Sequence, residues 1–313
     1  MIIDLNTRVW SSPEQLGREV ADSLLRYEAD HGSRVDASLA ALEREMHCVD
    51  TAFVMGFTST RLGASVPDEW IAECCRRQPG RIGVAGIDPL ADDAMDRLDR
   101  AADLGLQAIN VSPACQGFHP AHSRAMLVYE RALALSMPVF VTMPPPPSAS
   151  TRLEFARPML WDEVARGFPE LKLVMGQLGR PWIDETLLLV AKHENVFAEI
   201  SGVVSHSWNL YNALLAARSE GVMSKLFFGS GFPFESPARA IETLYSLGAL
   251  TQGTTLPAVP RQLVNGIVER DVLGCLGLEG AASGMGAAIR PGTPRAGGRP
   301  MQTGRDSRTV TDA

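Results

Sequence analysis

The sequence is poor in histidine and cysteine: its 313 residues hold six of the first and five of the second. The cysteines (Cys48, Cys74, Cys75, Cys115 and Cys275) are odd in number and form no C-x-x-C pair. That excludes the disulfide framework of a small secreted domain and fits reduced thiols. No apolar run approaches the roughly 18–20 residues needed to cross a bilayer, so no membrane partner is expected. The chain opens on Met1-Ile2-Ile3-Asp4 without a basic segment and an apolar leader, and a cytoplasmic location is expected. Excess basic charge is lacking too. Against 36 Asp and Glu stand 29 Lys and Arg, a net charge of −7. A general nucleic-acid binder needs the opposite field, so no nucleic-acid partner is expected.

What remains is an ordinary globular composition, 45% hydrophobic and 21% charged, long enough to bury a substantial core. Short apolar runs recur along it: Met1–Asp4, Thr51–Gly56, Ile82–Ile87, Ala108–Val111, Val139–Thr142, Leu171–Met175, Val196–Ile200 and Leu226–Gly229. Each has the length and composition of a strand buried on both faces of a parallel sheet. Amphipathic, helix-like stretches separate them, among them Pro13–Tyr27, Ala37–Met46, Asp68–Arg77, Asp92–Leu104, Ser123–Leu135, Met159–Phe168 and Asp184–His193. No G-x-G-x-x-G follows the first run, which sets aside a doubly wound dinucleotide fold. The expected fold is α/β, a (β/α)8 TIM barrel forming a single domain over residues 1–278. From 279 to 313 the chain is rich in Gly, Pro and Arg without apolar periodicity, and a disordered tail is expected there. Pro144–Pro147, directly after the fifth run, is expected to form a stiff loop over the barrel mouth.

Six segments resemble the amidohydrolase superfamily, in particular the amidohydrolase-2 branch around aminocarboxymuconate-semialdehyde decarboxylase. Ile2-Ile3-Asp4-Leu5-Asn6-Thr7-Arg8 resembles the family's I-I-D-x-H-x-H opening. Ile109-Asn110-Val111-Ser112-Pro113 with Gln116-Gly117-Phe118 is similar to K-L-H-P-x-x-Q-G-F. Pro138–Thr142 is similar to P-V-L-I-H, and Phe168–Trp182 to F-P-D-L-K-I-V-x-A-H-L-G-G-P-W. Asn195–Gly202 is similar to N-V-Y-x-D-L-S-G, and Phe228–Phe234 to F-G-S-D-Y-P-F. The resemblance covers residues 1 to about 278 and implies a barrel with a divalent metal at its mouth. It implies ligands from the first, fifth, sixth and eighth strands. At those five positions this chain has Asn6, Arg8, Thr142, Gln177 and Gly231.

Zinc-type sites need imidazole, thiolate or carboxylate donors, and none stands there. No cofactor and no bound metal are therefore expected. His31, His47 and His193 read as surface or packing residues. His119, His122 and His206 fall on the mouth side and are the only histidines placed to rebuild a relocated metal site. Arg8 brings a planar cationic fork to the mouth. With Asn6, Asn110, Gln116, Thr142, Gln177 and Arg180 it forms a candidate substrate-binding set, and Glu199 and His206 are the candidate acid and base. The alternative for Arg8 is a structural plug paired with Glu199 or Glu235. Two functions follow. The first is a non-catalytic binding or partner subunit (a pseudoenzyme), associated with an active amidohydrolase paralogue or with copies of itself. The second is a repurposed metal-independent lyase, isomerase or hydrolase for a small carboxylated or aromatic substrate, with a small anion held by Arg8.

Overall fold

The computed structural model describes residues 1–143 and 146–280. Strand β1 (Ile3–Arg8) is followed by β2 (Thr51–Met55) and a small hairpin of β3 (Thr58–Ser59) with β4 (Ala64–Ser65). Then come β5 (Arg81–Gly86), β6 (Ala108–Val111), β7 (Val139–Val141), β8 (Leu173–Met175), β9 (Val196–Glu199) and β10 (Leu226–Phe227). The hairpin apart, these strands form one eight-stranded parallel sheet in the order β1-β2-β5-β6-β7-β8-β9-β10. The sheet closes on itself. Leu5 N donates to Phe228 O at 3.1 Å, Arg8 N donates to Phe232 O at 2.9 Å, and a parallel bridge joins Thr7 to Phe232. With helices between successive strands, this is the TIM barrel that the alternating pattern predicts.

Alternate residues of the strands separate two cores. Inward-facing Ile3, Leu5, Phe53, Ile82, Phe140, Val174, Phe197 and Phe227 fill the lower lumen, and Val272, Leu273, Leu276 and Leu278 close its floor. Outward-facing residues such as Val54, Ile109, Leu173 and Ala198 pack against the helical ring.

Seven expected strands agree with the structure to within two residues at either end. The first extends further than Met1–Asp4, through Arg8, because a register shift between Asp4 and Thr7 lets the polar residues continue the strand. The expected helix Pro13–Tyr27 is broken. A short 3-10 turn (Pro13–Leu16) ends at Gly17, and an α-helix runs over Arg18–His31. Gly17 has φ +87°, and a Cβ there would lie 2.4 Å from the Leu62 carbonyl oxygen, so only glycine makes this corner. The expected tail, apart from Glu279 and Gly280, and the Pro144-Pro145 part of the mouth loop lie outside the described residues.

Candidate functional site at the barrel mouth

Above the apolar lumen the inward positions turn polar. Asn110 is the penultimate residue of β6, Glu199 ends β9, Thr142 follows β7, and Asn6 and Arg8 come from β1. All five are buried. The inward Gly86, Gly176 and Gly229 let side chains and neighbouring backbone approach closely. A Cβ on Gly176 would meet Thr142 Cγ2 at 2.7 Å, and one on Gly229 would meet Glu199 Oε2 at 2.4 Å.

Two networks fill the mouth. In the first, Arg8 Nη2 donates to Thr142 Oγ1 at 2.7 Å, Thr142 Oγ1 donates to Asn110 Oδ1 at 2.7 Å, and Asn110 Nδ2 donates to Gly56 O at 2.9 Å. In the second, Glu199 is enclosed by donors. Asn6 Nδ2 reaches Oε1 at 2.9 Å, Ser201 Oγ reaches Oε1 at 3.0 Å, Ser201 N reaches Oε2 at 2.7 Å, and Gln177 N also donates to Oε1. The Arg8 guanidinium forms no ion pair with either Glu199 or Glu235. Glu235 instead accepts from Ser236 N and lies 3.6 Å from Arg239. The expected pairing of Arg8 is thus corrected: Glu199 is already committed to neutral donors, and Glu235 faces its own helix. Arg8 Nη1 has no partner among the described residues. Burial, only partly offset by the charge of Glu199, lowers the Arg8 pKa to about 10.

Other sequence-selected residues have structural tasks. Gln116 spends its amide on backbone, with Nε2 donating to Thr58 O and Ile87 O and Oε1 accepting from Ser112 N. Gln177 sits at φ +55°, and its amide clasps Met143, accepting from the backbone N and donating to the backbone O. Arg180 is exposed and donates to Gly202 O at 3.2 Å. His206 is exposed, with Nδ1 3.0 Å from Ser205 Oγ, and no hydrogen bond joins it to Glu199. The acid–base pair expected of Glu199 and His206 is not assembled.

His119 and His122 accept from local backbone N–H groups, of Ala121 and Arg124 respectively. Among the described residues, no three His, Cys, Asp or Glu side chains come together as a metal-holding group. The five ligand positions implied by the resemblance do not fit a divalent ion either. Arg8 repels a cation, and Asn6 and Thr142 are neutral and already hydrogen-bonded. Gly231 has no side chain and sits at φ +81°, a conformation that an aspartate adopts only with strain.

Two residues were missed. Ser201 supplies two of the donors around Glu199, and its position two residues after a strand-end carboxylate was the available signal. Asp4 is fully buried, with Oδ1 accepting from Ser230 N at 2.9 Å and from Asn6 N at 3.1 Å, while Oδ2 has no partner among the described residues. Burial pushes its pKa up to about 7 against the hydrogen bonding of Ser230 and Asn6, and the charge of Glu199 adds to the rise. A lone acid inside the run Ile2-Ile3-Asp4-Leu5 was its sequence signal.

The amidohydrolase family model matches residues 4–267. The chain belongs to the amidohydrolase family. No curated protein matches its sequence. Among solved structures, it is similar to an uncharacterized TIM-barrel protein from Bordetella bronchiseptica at 20% identity and TM-score 0.69, over 89% of this chain and 99% of that one. It is also similar to a probable 2-pyrone-4,6-dicarboxylic acid hydrolase from Acinetobacter baumannii, at 14% identity and TM-score 0.60, over 88% and 99%. A third is 5-carboxyvanillate decarboxylase from Sphingomonas paucimobilis, at 16% identity and TM-score 0.61, over 88% and 98%. At such identities this amidohydrolase shares their fold, and its chemistry rests on its own mouth residues. No described helix is long and apolar enough to cross a membrane.

Proposed function

We propose that this amidohydrolase barrel has given up metal-dependent chemistry and serves as a non-catalytic binding or partner subunit. The filled mouth is the observation that carries the reading. Arg8 and Phe232 are 4% and 3% exposed, and the void beside Thr142 and Gln177 measures only about 30 Å³. A space of that size holds a water molecule or two and no organic substrate. The partner would be an active amidohydrolase paralogue or further copies of this chain. Metal analysis of protein purified without chelator tests the reading. Substoichiometric zinc, manganese and iron are expected, and one divalent ion per chain overturns it.

One atom favours a second reading. Arg8 Nη1, buried and unpartnered among the described residues, is placed to hold a small anion. Two of the similar structures are of proteins described as acting on carboxylated rings. A metal-free lyase, isomerase or hydrolase for a small carboxylated or aromatic substrate would use Arg8 as anchor and Glu199 for proton transfer. If Arg8→Ala and Glu199→Ala chains complement a deletion strain as well as the unaltered chain does, this second reading fails.

A further inference from the structure

Beside the filled mouth, on the same face of the barrel, four loops line a separate, open groove of about 340 Å³. Its walls come from the segments after β2 (Thr60, Arg61), β5 (Asp88, Leu90), β6 (Gln116, Gly117) and β7 (Arg152). That volume is at the lower end of the range for small-molecule sites.

The groove is built on buried, fully engaged polar groups. Gln116, 2% exposed, ties three segments together through its bonds to Thr58, Ile87 and Ser112. The buried Asp88 carboxylate accepts from Thr60 N at 2.8 Å and Leu90 N at 3.0 Å, one bond to each oxygen. Arg152 N donates to Ala114 O at 2.8 Å and anchors the fourth loop. Every one of these bonds spends a polar group on backbone, and none engages a guanidinium.

The two guanidiniums are left over. Neither Arg61 nor Arg152 forms an ion pair or a side-chain hydrogen bond among the described residues. Arg152 lies over the Phe155 ring at 6.0 Å, a contact that leaves its charge unneutralised. Arg61 passes close over Gly117. A Cβ at that position, where φ is +80°, would stand 3.0 Å from Arg61 Cδ. The glycine therefore serves both the turn and the path of the arginine. Glu19 feels the charge of Arg61 but is held by Ser150 N and Oγ rather than by the guanidinium. The one carboxylate in the lining, Asp88, has its two oxygens turned to backbone N–H groups.

We propose that this groove binds a small organic dianion, a dicarboxylate or a phosphate monoester, between the Arg61 and Arg152 forks. Both anion types suit planar, bidentate donors. The site goes beyond the non-catalytic reading. It would give the barrel a ligand of its own outside the closed mouth, and it involves neither Arg8 nor Glu199.

Titration calorimetry of the full chain at fixed ionic strength tests it, with disodium succinate and inorganic phosphate as separate probes and sodium chloride as the control. One saturable site for succinate, for phosphate or for both is expected, with a dissociation constant in the millimolar range or tighter. Whichever probe binds more tightly identifies the anionic group. Arg61→Gln and Arg152→Gln should each weaken it by about tenfold or more, as expected when a charged hydrogen-bonding partner is lost. Arg61→Lys should fall between the two. Both arginines are exposed, so these variants keep the fold, which circular dichroism checks. The proposal is overturned if neither probe saturates, if chloride displaces the bound probe, or if the glutamine variants bind like the parent. The readout is binding alone. A metal-loaded, active enzyme would refute the non-catalytic reading and leave these outcomes unchanged.

Discussion

Arg8 Nη2 lies 2.7 Å from Thr142 Oγ1, so a cation from the first barrel strand is tied across the mouth to a hydroxyl at the end of the fifth. The same hydroxyl donates to Asn110, and its removal strands two polar groups at once. Thr142→Val should cost about 2–3 kcal/mol, the loss of a charge-assisted hydrogen bond plus an unsatisfied amide oxygen. Urea denaturation followed by circular dichroism measures it. A loss below about 0.5 kcal/mol would show that the contact is absent in solution.

Removing the cation instead of its acceptor should act in the opposite direction. Among the described residues Arg8 has no carboxylate within ion-pairing reach, and one of its nitrogens has no partner. An apolar side chain of similar length relieves that burial. Arg8→Met is expected to be neutral or to stabilise the chain by about 1 kcal/mol. If the variant instead loses more than about 2 kcal/mol, Arg8 is paired with an anion in solution.

Asp4 makes stability depend on pH near neutrality. Burial holds its folded pKa at about 7, against an ordinary value of 3.8. Between those two values the folded chain keeps a proton that the unfolded chain releases. Stability is therefore fully present below about pH 4, is lost progressively as pH rises toward 7, and levels off above it. The shift corresponds to a loss on the order of 4 kcal/mol from this one group. Asp4→Asn should flatten that part of the profile. Denaturation midpoints at pH 5, 6, 7 and 8 for both chains check it, and parallel curves would rule it out.

Gly229 and Glu199 should prove to be energetically coupled. A methyl group at position 229 would meet Glu199 Oε2 at 2.4 Å. Gly229→Ala alone is expected to destabilise by about 1–3 kcal/mol, the range for overpacking a tight interior. In a chain already carrying Glu199→Ala, the same change should cost much less. A double-mutant cycle measures the difference, and strict additivity would mean that the two positions do not touch.

The barrel was legible because its signal repeats. Eight apolar runs such as Val196–Ile200, each buried on both faces, admit few alternatives to a closed parallel sheet. The family segments added the order of the strand ends and therefore the mouth. The partners within the mouth were not legible. Nothing in the local pattern says that Gln116 and Gln177 bond to backbone, because those acceptors lie on other loops that only the folded chain brings near. His206 illustrates the same limit. Its place just after the seventh strand suggested the site, but the short helix Ser201–Val204 carries it out to the surface. Arg61 and Arg152 are 91 positions apart, and no spacing rule could have paired them.

The floor of the barrel carries a consequence for how the molecule is made and handled. Val272, Leu273, Leu276 and Leu278 seal the lower lumen against Ile3, Phe53 and Phe227. Until Leu278 has emerged from the ribosome, those inward residues lack their lid, so the first strand must wait for nearly the whole barrel to be synthesised before its lower end is dry. The described chain thus ends beside that sealed floor, at the opposite end of the barrel from the mouth. A truncation before Leu276 would uncover that floor.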